Sequence, residues 1–204
     1  LYIVACHNNQ LNSLNVSGLT SLYTLDCYNN QFSSLNLSGL INLTNLNCGG
    51  NLLIFLNLSG LINLLSLGCV NNSITALNFT GLNNLKYIYC RNNPITSFDF
   101  TVVNSIEGLY CDSMPITTLD LSNQQNLIAL SCNSNQLASL DLSNNLNLEF
   151  LECDSNQLTT LDLSNNINLI TLRCQNNQLQ TLFIKNGSNE TVQLSNNPNL
   201  TFIC

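Results

Sequence analysis

The chain has 204 residues, enough for one or two globular domains or a single elongated one, and its 45% hydrophobic content allows a continuous core. Only 7% of its residues are charged, against roughly a quarter in ordinary soluble proteins, and about forty asparagines take their place. With 4 Lys and Arg against 11 Asp and Glu, a net charge of −7 and a pI near 4.1, the composition argues against nucleic acid as a partner, because phosphate binding needs clustered cations.

Read from the N-terminus, the cysteines set a ruler. Cys6, Cys27, Cys48, Cys69, Cys90, Cys111, Cys132, Cys153 and Cys174 recur every 21 positions. The clearest copy of the unit is Leu22–Phe32, LYTLDCYNNQF, an LxxLxCxxNxL block. Two residues before each Cys stands an apolar residue (Leu25, Leu46, Leu67, Ile88, Leu109, Leu130, Leu151, Leu172). That residue and the Cys alternate with polar ones, which is the period of a strand. Three residues after the Cys comes Asn (Asn9, Asn30, Asn51, Asn72, Asn93, Asn135, Asn156, Asn177), predicted to be buried and to satisfy main-chain groups where the strand bends into its turn. Met114 interrupts that row, so a local distortion is expected at Ser113–Pro115.

Positions five, eight and ten past the Cys, such as Phe32, Leu35 and Leu37, read as inward-facing. The LxLS segments (Leu35–Ser38, Leu140–Ser143) are predicted to run extended on the side opposite the strands. Early turns then read SGLxN (Ser38–Asn42, Ser59–Asn63) and late ones SNNxN (Ser143–Asn147, Ser164–Asn168), as if two ancestral units had been duplicated. No stretch has helical periodicity. After Phe183 the register breaks, and Cys204 falls 30 residues after Cys174.

A fixed repeat of this length with this leucine spacing marks a stacked-coil array, and the chain resembles leucine-rich-repeat proteins over nearly its whole length. The resemblance implies a β-rich solenoid: a curved, right-handed superhelix with a parallel concave sheet, nine to ten repeats and little or no α-helix on the convex side. It is expected to be one domain, 1–204, with regular repeats over 1–184 and an irregular repeat or the start of a cap over 185–204. The closing Asn197–Cys204 resembles the end of repeat arrays in secreted proteins of flavobacteria-like Bacteroidota, where a further cap and a sorting domain often follow. That resemblance implies a secreted or cell-surface protein whose signal, caps and sorting segment lie outside this sequence, with Cys204 free to pair elsewhere.

The repeating cysteines occupy a slot that usually holds an inward Leu, and a free Cys behaves as a small buried hydrophobe. Neighbouring coils would bring their Cα atoms about 4.8 Å apart, within disulfide range, but parallel in-register side chains point the same way. Buried free thiols are therefore the expectation, ahead of some pairing or a soft-metal site. Leu52–Val70 carries no charge and is about long enough to cross a bilayer, yet it keeps the 21-residue register, so membrane insertion is not expected.

Three surfaces are candidates for function. On the concave sheet, the positions three before, one before and one after each Cys point outward. They are small early on (Asn45, Asn47, Gly49, Ser66, Gly68), aromatic in the middle (Tyr87, Tyr89, Tyr110, with Tyr28 beyond the glycines) and charged or aromatic later (Arg91, Asp112, Phe150, Glu152, Asp154, Arg173). A shallow notch is expected between Tyr28 and Tyr89, three strands or about 15 Å apart, able to seat a sugar or a side chain. Tyrosines serve recognition well because they offer rigid area with one polar tip, though they also simply suit a half-exposed strand. The second surface is an apolar cluster, Leu52, Ile54 and Phe55, where other repeats carry Ser or Thr. In the third, Asn15, Asn36, Asn57 and Asn78 give way to Asp99, Asp120, Asp141 and Asp162. Such a row reads first as turn-forming side chains and only weakly as a calcium site.

The reading that follows is a non-enzymatic binding module recognising a protein or glycan through its concave face, with no cofactor. An adhesive or ice-binding surface built from the Ser, Thr and Asn rows is the alternative. An enzyme is less expected: the only His is His7, no nucleophile–base constellation is apparent, and although Asp112, Glu152 and Asp154 could in principle form a carboxylate pair, an open curved sheet offers no obvious water-excluding pocket. The unpaired edge at Leu1–Cys6 could pair edge to edge with a second copy.

Overall fold

The computed structural model describes residues 1–204. Thirteen short strands alternate with turns, and there is no helix. Ten of them form one parallel sheet: β1 (Ile3–Ala5), β2 (Thr24–Asp26), β3 (Asn45–Asn47), β4 (Ser66–Gly68), β5 (Tyr87–Tyr89), β6 (Gly108–Tyr110), β7 (Ala129–Ser131), β8 (Phe150–Glu152), β10 (Thr171–Arg173) and β12 (Thr191–Gln193). Each strand pairs with the equivalent residues one coil on, as in Leu25↔Leu46↔Leu67. On the opposite side of the last coils, β9 (Thr160–Asp162), β11 (Thr181–Phe183) and β13 (Phe202–Ile203) make a second, three-stranded parallel sheet. The chain is thus a β-solenoid of about ten turns, the architecture its leucine spacing predicts. No helix is long and apolar enough to cross a membrane, and Leu52–Val70 is a coil that buries most of its leucines and turns residues such as Asn57, Ser59 and Asn63 outward.

Fifty-two buried residues form one continuous core. Cys27 to Cys174 lie inside it, all as free thiols. Cys204 is exposed and free. Some thiols point at the carbonyl of the next coil, as Cys153 Sγ does at Arg173 O, 3.5 Å away. Beside them runs the asparagine row. Asn51 Nδ2 donates to Cys27 O, Cys48 O and Gly49 O, each at 3.1 Å, and its Oδ1 accepts the Phe32 N–H at 3.0 Å. No main-chain N–H reaches the carbonyls of the repeating cysteines, so these amides are their donors. Each such carbonyl normally receives two: Cys48 O is met by Asn51 and by Asn72.

The expected distortion around Met114 does not occur. Ser113 has φ 56°, like Asn92 and Ser134 at the same position, and β6 and β7 stay in register. Met114 fills the slot with a buried side chain. The missing donors fall on two different carbonyls, each keeping one partner: Cys90 O is held by Asn93 and Cys111 O by Asn135. Neither cysteine carbonyl is orphaned, and the backbone keeps its path.

Residues 185–204 supply a further coil one residue shorter than the rest. Arg173 pairs with Gln193, Leu194 stands in the cysteine slot, and Asn197 joins the asparagine row by donating to Cys174 O and accepting from Leu179 N.

The two turn types of the sequence differ inside the molecule. In early coils Leu40 N–H donates to Leu37 O across Gly39, whose φ is +82°; this is a type II turn, which needs glycine at that point. Leu40 then faces the core. In late coils Asn145 N–H closes the same bond to Leu142 O, but Asn144 has no left-handed φ, as in a type I turn. Here Asn145 and Asn166 are fully buried. Asn145 Nδ2 donates to Leu121 O and Gln124 O, and Asn166 Nδ2 to Leu142 O and Asn145 O. Where the types meet, the Gln124 amide joins Ile106 N to Val103 O, two groups that bond each other directly in other coils. Phe79, Phe98 and Phe100 stack at the same junction, with centroids 5.2 to 6.3 Å apart.

Two predictions test this interior. Removing Asn93 or Asn135 takes away the only donor to Cys90 O or Cys111 O, whereas Asn51→Ala and Asn156→Ala leave every cysteine carbonyl one partner. Asn93→Ala and Asn135→Ala should therefore lose about 1 kcal/mol more stability than the other two, measured by urea unfolding; equal losses would contradict the shared-donor account. The thiols predict an alkaline limb. Burial pushes Cys27, Cys69 and Cys174 up to about 12, and Cys48, Cys90, Cys111, Cys132 and Cys153 well above the ordinary range. Unfolded thiols ionise near about 8.5, so the unfolded state loses protons first. Stability is whole below that pH and falls as pH rises toward the folded values, by up to about 1.4 kcal/mol per pH unit for each thiol. Urea midpoints measured under reductant from pH 7 to 10 should fall steadily above about pH 8.5 and fall less steeply in Cys132→Ala; a flat profile would place the thiols outside the core.

Candidate functional site

The ten-stranded sheet presents its outward side chains in three rows, and every tyrosine and charged residue singled out from the sequence on that face is exposed or half-buried there. The glycines decide the relief. At Gly49 a Cβ would lie 2.8 Å from Val70 Cγ2 and 3.1 Å from Tyr28 Cδ2, so the Tyr28 ring and Val70 close over a position that only glycine can occupy without displacing them. At Gly68 a Cβ would stand 3.0 Å from Asn47 Oδ1. Beside Gly68 the surface sinks into a cleft of about 420 Å³. Tyr28 and Val70 stand on its rim with Tyr89, and Thr24, Asp26, Asn45, Asn47, Ser66 and Gly68 line it. The notch expected between Tyr28 and Tyr89 is therefore present.

Tyr89 is braced from behind by Tyr110, stacked at 4.7 Å between centroids and 10° between planes. Burial and the neighbouring phenol hold the Tyr110 hydroxyl above its ordinary pKa. Tyr87 is not part of the notch: its hydroxyl donates to Glu107 Oε2 at 2.6 Å, which raises the Tyr87 pKa. Lys86 donates to the other Glu107 oxygen at 2.6 Å, and the two bonds together hold that carboxyl below its usual range.

Further along, the charged residues bind one another. Arg173 donates to Glu152 at 2.8 Å, Arg91 stands 3.8 Å from Asp112, and Ser131 donates to Asp112 at 2.5 Å. Asp112 Oδ1 also accepts the Asn133 N–H, Asn133 Oδ1 the Asp154 N–H, and Asp154 Oδ1 the Gln175 N–H, at 2.7 to 2.9 Å. Burial raises the Asp154 pKa. This side-chain-to-backbone row is invisible in the sequence, where these residues looked like free charges. Phe150 stands exposed beside it. No group of three or more metal-ligating side chains is assembled anywhere.

The other two candidate surfaces lie away from this face. Asp99, Asp120, Asp141 and Asp162 each accept the N–H of the residue two further on, at 2.9 to 3.0 Å, as Asn36 and Asn57 do earlier. These hydrogen bonds hold all four carboxyls below the ordinary range. Each is an Asx turn, which Asn and Asp form alike. Ile54 and Phe55, each 67% exposed, and Leu52 form an apolar step on the surface, beside a groove of about 440 Å³ over Ser33–Ser38.

Neither a protein-family model nor a curated protein sequence matches the chain. Solved structures do. The functional domain of InlJ from Listeria monocytogenes, described as including a cysteine ladder, superposes with a TM-score of 0.86 at 29% identity, over 100% of this chain and 43% of that one. A leucine-rich-repeat protein of Leptospira interrogans gives 0.73 at 22% identity, over 98% and 59%. TLR13 in its complex with ssRNA13 gives 0.71 at 24%, over 90% and 32%. The chain spans less than half the length of the InlJ chain it matches. In fold, with its 21-residue coils and its file of inward cysteines, the protein is a leucine-rich-repeat solenoid.

Proposed function

We propose that the protein is a non-enzymatic binding module of a secreted or surface-exposed bacterial protein, and that it recognises a protein or glycan through the ten-stranded sheet. The observation that carries this reading is the cleft between Tyr28 and Tyr89: it combines aromatic walls with a recess into which the polar side chains Thr24, Asn45, Asn47 and Ser66 reach. Aromatic anchors beside a desolvated pocket are where binding energy concentrates. The likeness to InlJ supports the reading, as does the resemblance of the C-terminal segment to secreted arrays of Bacteroidota. Against RNA as the partner stands the charge: no cluster of unpaired cations lies on this face, since Lys86, Arg91 and Arg173 are each held by a carboxylate, and phosphate recognition needs such a cluster.

The test is a panel of glycans and bacterial surface and host extracellular proteins, probed with the wild type, Tyr89→Ala, Tyr110→Ala and a control on the opposite side, Thr117→Ala. A partner of the wild type should bind Tyr89→Ala and Tyr110→Ala about tenfold or more weakly, with Thr117→Ala unchanged and thermal midpoints alike. Full binding by both tyrosine variants would remove the sheet face from the reading.

A further inference from the structure

Hydrogen-bonding capacity is distributed unevenly over the sheet face. From Asp112 onward the polar side chains are tied to one another and to the backbone. In the cleft they are not. Asn47 Nδ2 donates to nothing in the protein, and its Oδ1 has only a long 3.5 Å approach from Gly49 N. Asn45 spends its amide on Thr44 and leaves its carbonyl oxygen free. The hydroxyls of Thr24 and Ser66 have no partner in the protein. Four polar side chains therefore meet in one recess with donors and acceptors unspent.

Charge on the cleft floor is confined to one side chain. Asp26 is the one ionisable side chain on its floor. Its Oδ2 is held by His7 Nδ1 at 2.9 Å and its Oδ1 accepts the Tyr28 N–H at 3.3 Å, so both of its oxygens already have a partner within the protein. No Lys or Arg lines the recess, so nothing there would neutralise an anion. A purely apolar anchor would bury the Asn47 amide and the Asn45 carbonyl oxygen without partners, at a cost of about 1–3 kcal/mol for each group.

On these grounds, and resting on the sheet-face reading above, we propose that the cleft seats one neutral sugar ring. Its C–H face would lie against the Tyr89 ring, which Tyr110 prevents from swinging away, and its hydroxyls would take the free Asn47 donor, the Asn45 acceptor and the Thr24 and Ser66 hydroxyls. The 420 Å³ of the cleft is at the small end of the range of small-molecule sites, roughly 300–1,000 Å³. Gly49 lets Tyr28 lie flat as the far wall, and Gly68 keeps the floor deep enough to admit the ring.

The experiment titrates the whole chain with three neutral trisaccharides, cellotriose, chitotriose and mannotriose, and with the cationic tripeptides Gly-Lys-Gly and Gly-Arg-Gly. It reads the side-chain amide resonances of Asn45 and Asn47 together with tyrosine fluorescence, which no tryptophan obscures. At least one trisaccharide should shift both amides and quench the tyrosines with roughly millimolar affinity or better. Gly68→Leu, which fills the floor, and Asn47→Leu, which removes the donor, should each weaken that binding about tenfold or more without lowering the thermal midpoint. The inference is overturned if no trisaccharide moves the amides, if the shifts map to another face, or if both variants bind as the wild type does. Should the tripeptides alone move the cleft, or should a panel partner be lost in Tyr89→Ala while every sugar leaves the cleft unmoved, the sugar assignment fails and the sheet-face reading stands.

Discussion

A parallel coil that returns every 21 residues leaves its strand with a bend in which the cysteine carbonyl points along the stack and meets no main-chain N–H. A buried carbonyl without a donor costs about as much as a lost hydrogen bond, and the cost would recur in every coil. One asparagine amide per coil removes it, because its two N–H groups reach carbonyls of its own coil and of the coil before, while its oxygen takes an N–H in return. The rest of the interior adapts to that bond. The residue beside the amide must be apolar and undemanding of partners, and a thiol suits that slot as Leu194 does in the last coil. Because each carbonyl has two donors, the array absorbs the loss of one amide at Met114 without bending.

The second buried row shows a different solution to the same crowding. Where glycine permits a type II turn, the next residue is leucine and the interior stays apolar; where glycine is absent, the turn lacks a left-handed residue, and after one turn that still buries Val103 an amide side chain (Gln124, then Asn145 and Asn166) enters the core to tie the turns of adjacent coils together. The change falls between Val103 and Gln124, and the outer face changes character over the same stretch. The cleft lies wholly on coils of the glycine type, and the network of mutually paired charges begins at Asp112, beyond the last of them. The two halves of the solenoid differ inside and out.

Charge follows the same division of labour. The molecule carries a net −7, yet on the sheet face Asp26, Glu107, Asp112 and Glu152 each have a basic partner. Of the other carboxylates, four form the Asx-turn row on the opposite side, while Asp154 on the sheet face has a backbone N–H rather than a cation as its partner. In the proposed reading, recognition at the cleft would rest on shape and hydrogen bonding more than on long-range attraction.

Period alone determined much of this protein. A 21-residue register with inward residues at constant offsets admits one stacking, so the parallel sheet, the single core, the buried thiols, the amide row and the outward tyrosines could all be read from residues such as Leu25, Cys27, Asn30 and Tyr28. Even the notch between Tyr28 and Tyr89 was legible, since side-chain size at a known outward position sets relief directly. What the sequence could not show were contacts between coils. That Asn145 is buried and Asn147 exposed depends on the path of a turn, which the SNNxN string does not specify. That Leu194 replaces cysteine in the last coil depends on a coil shortened by one residue, which a fixed ruler misreads. That Asp112 and Asp154 are engaged while Asn47 is free depends on which neighbour stands across a strand, and that is settled only when the coils are stacked.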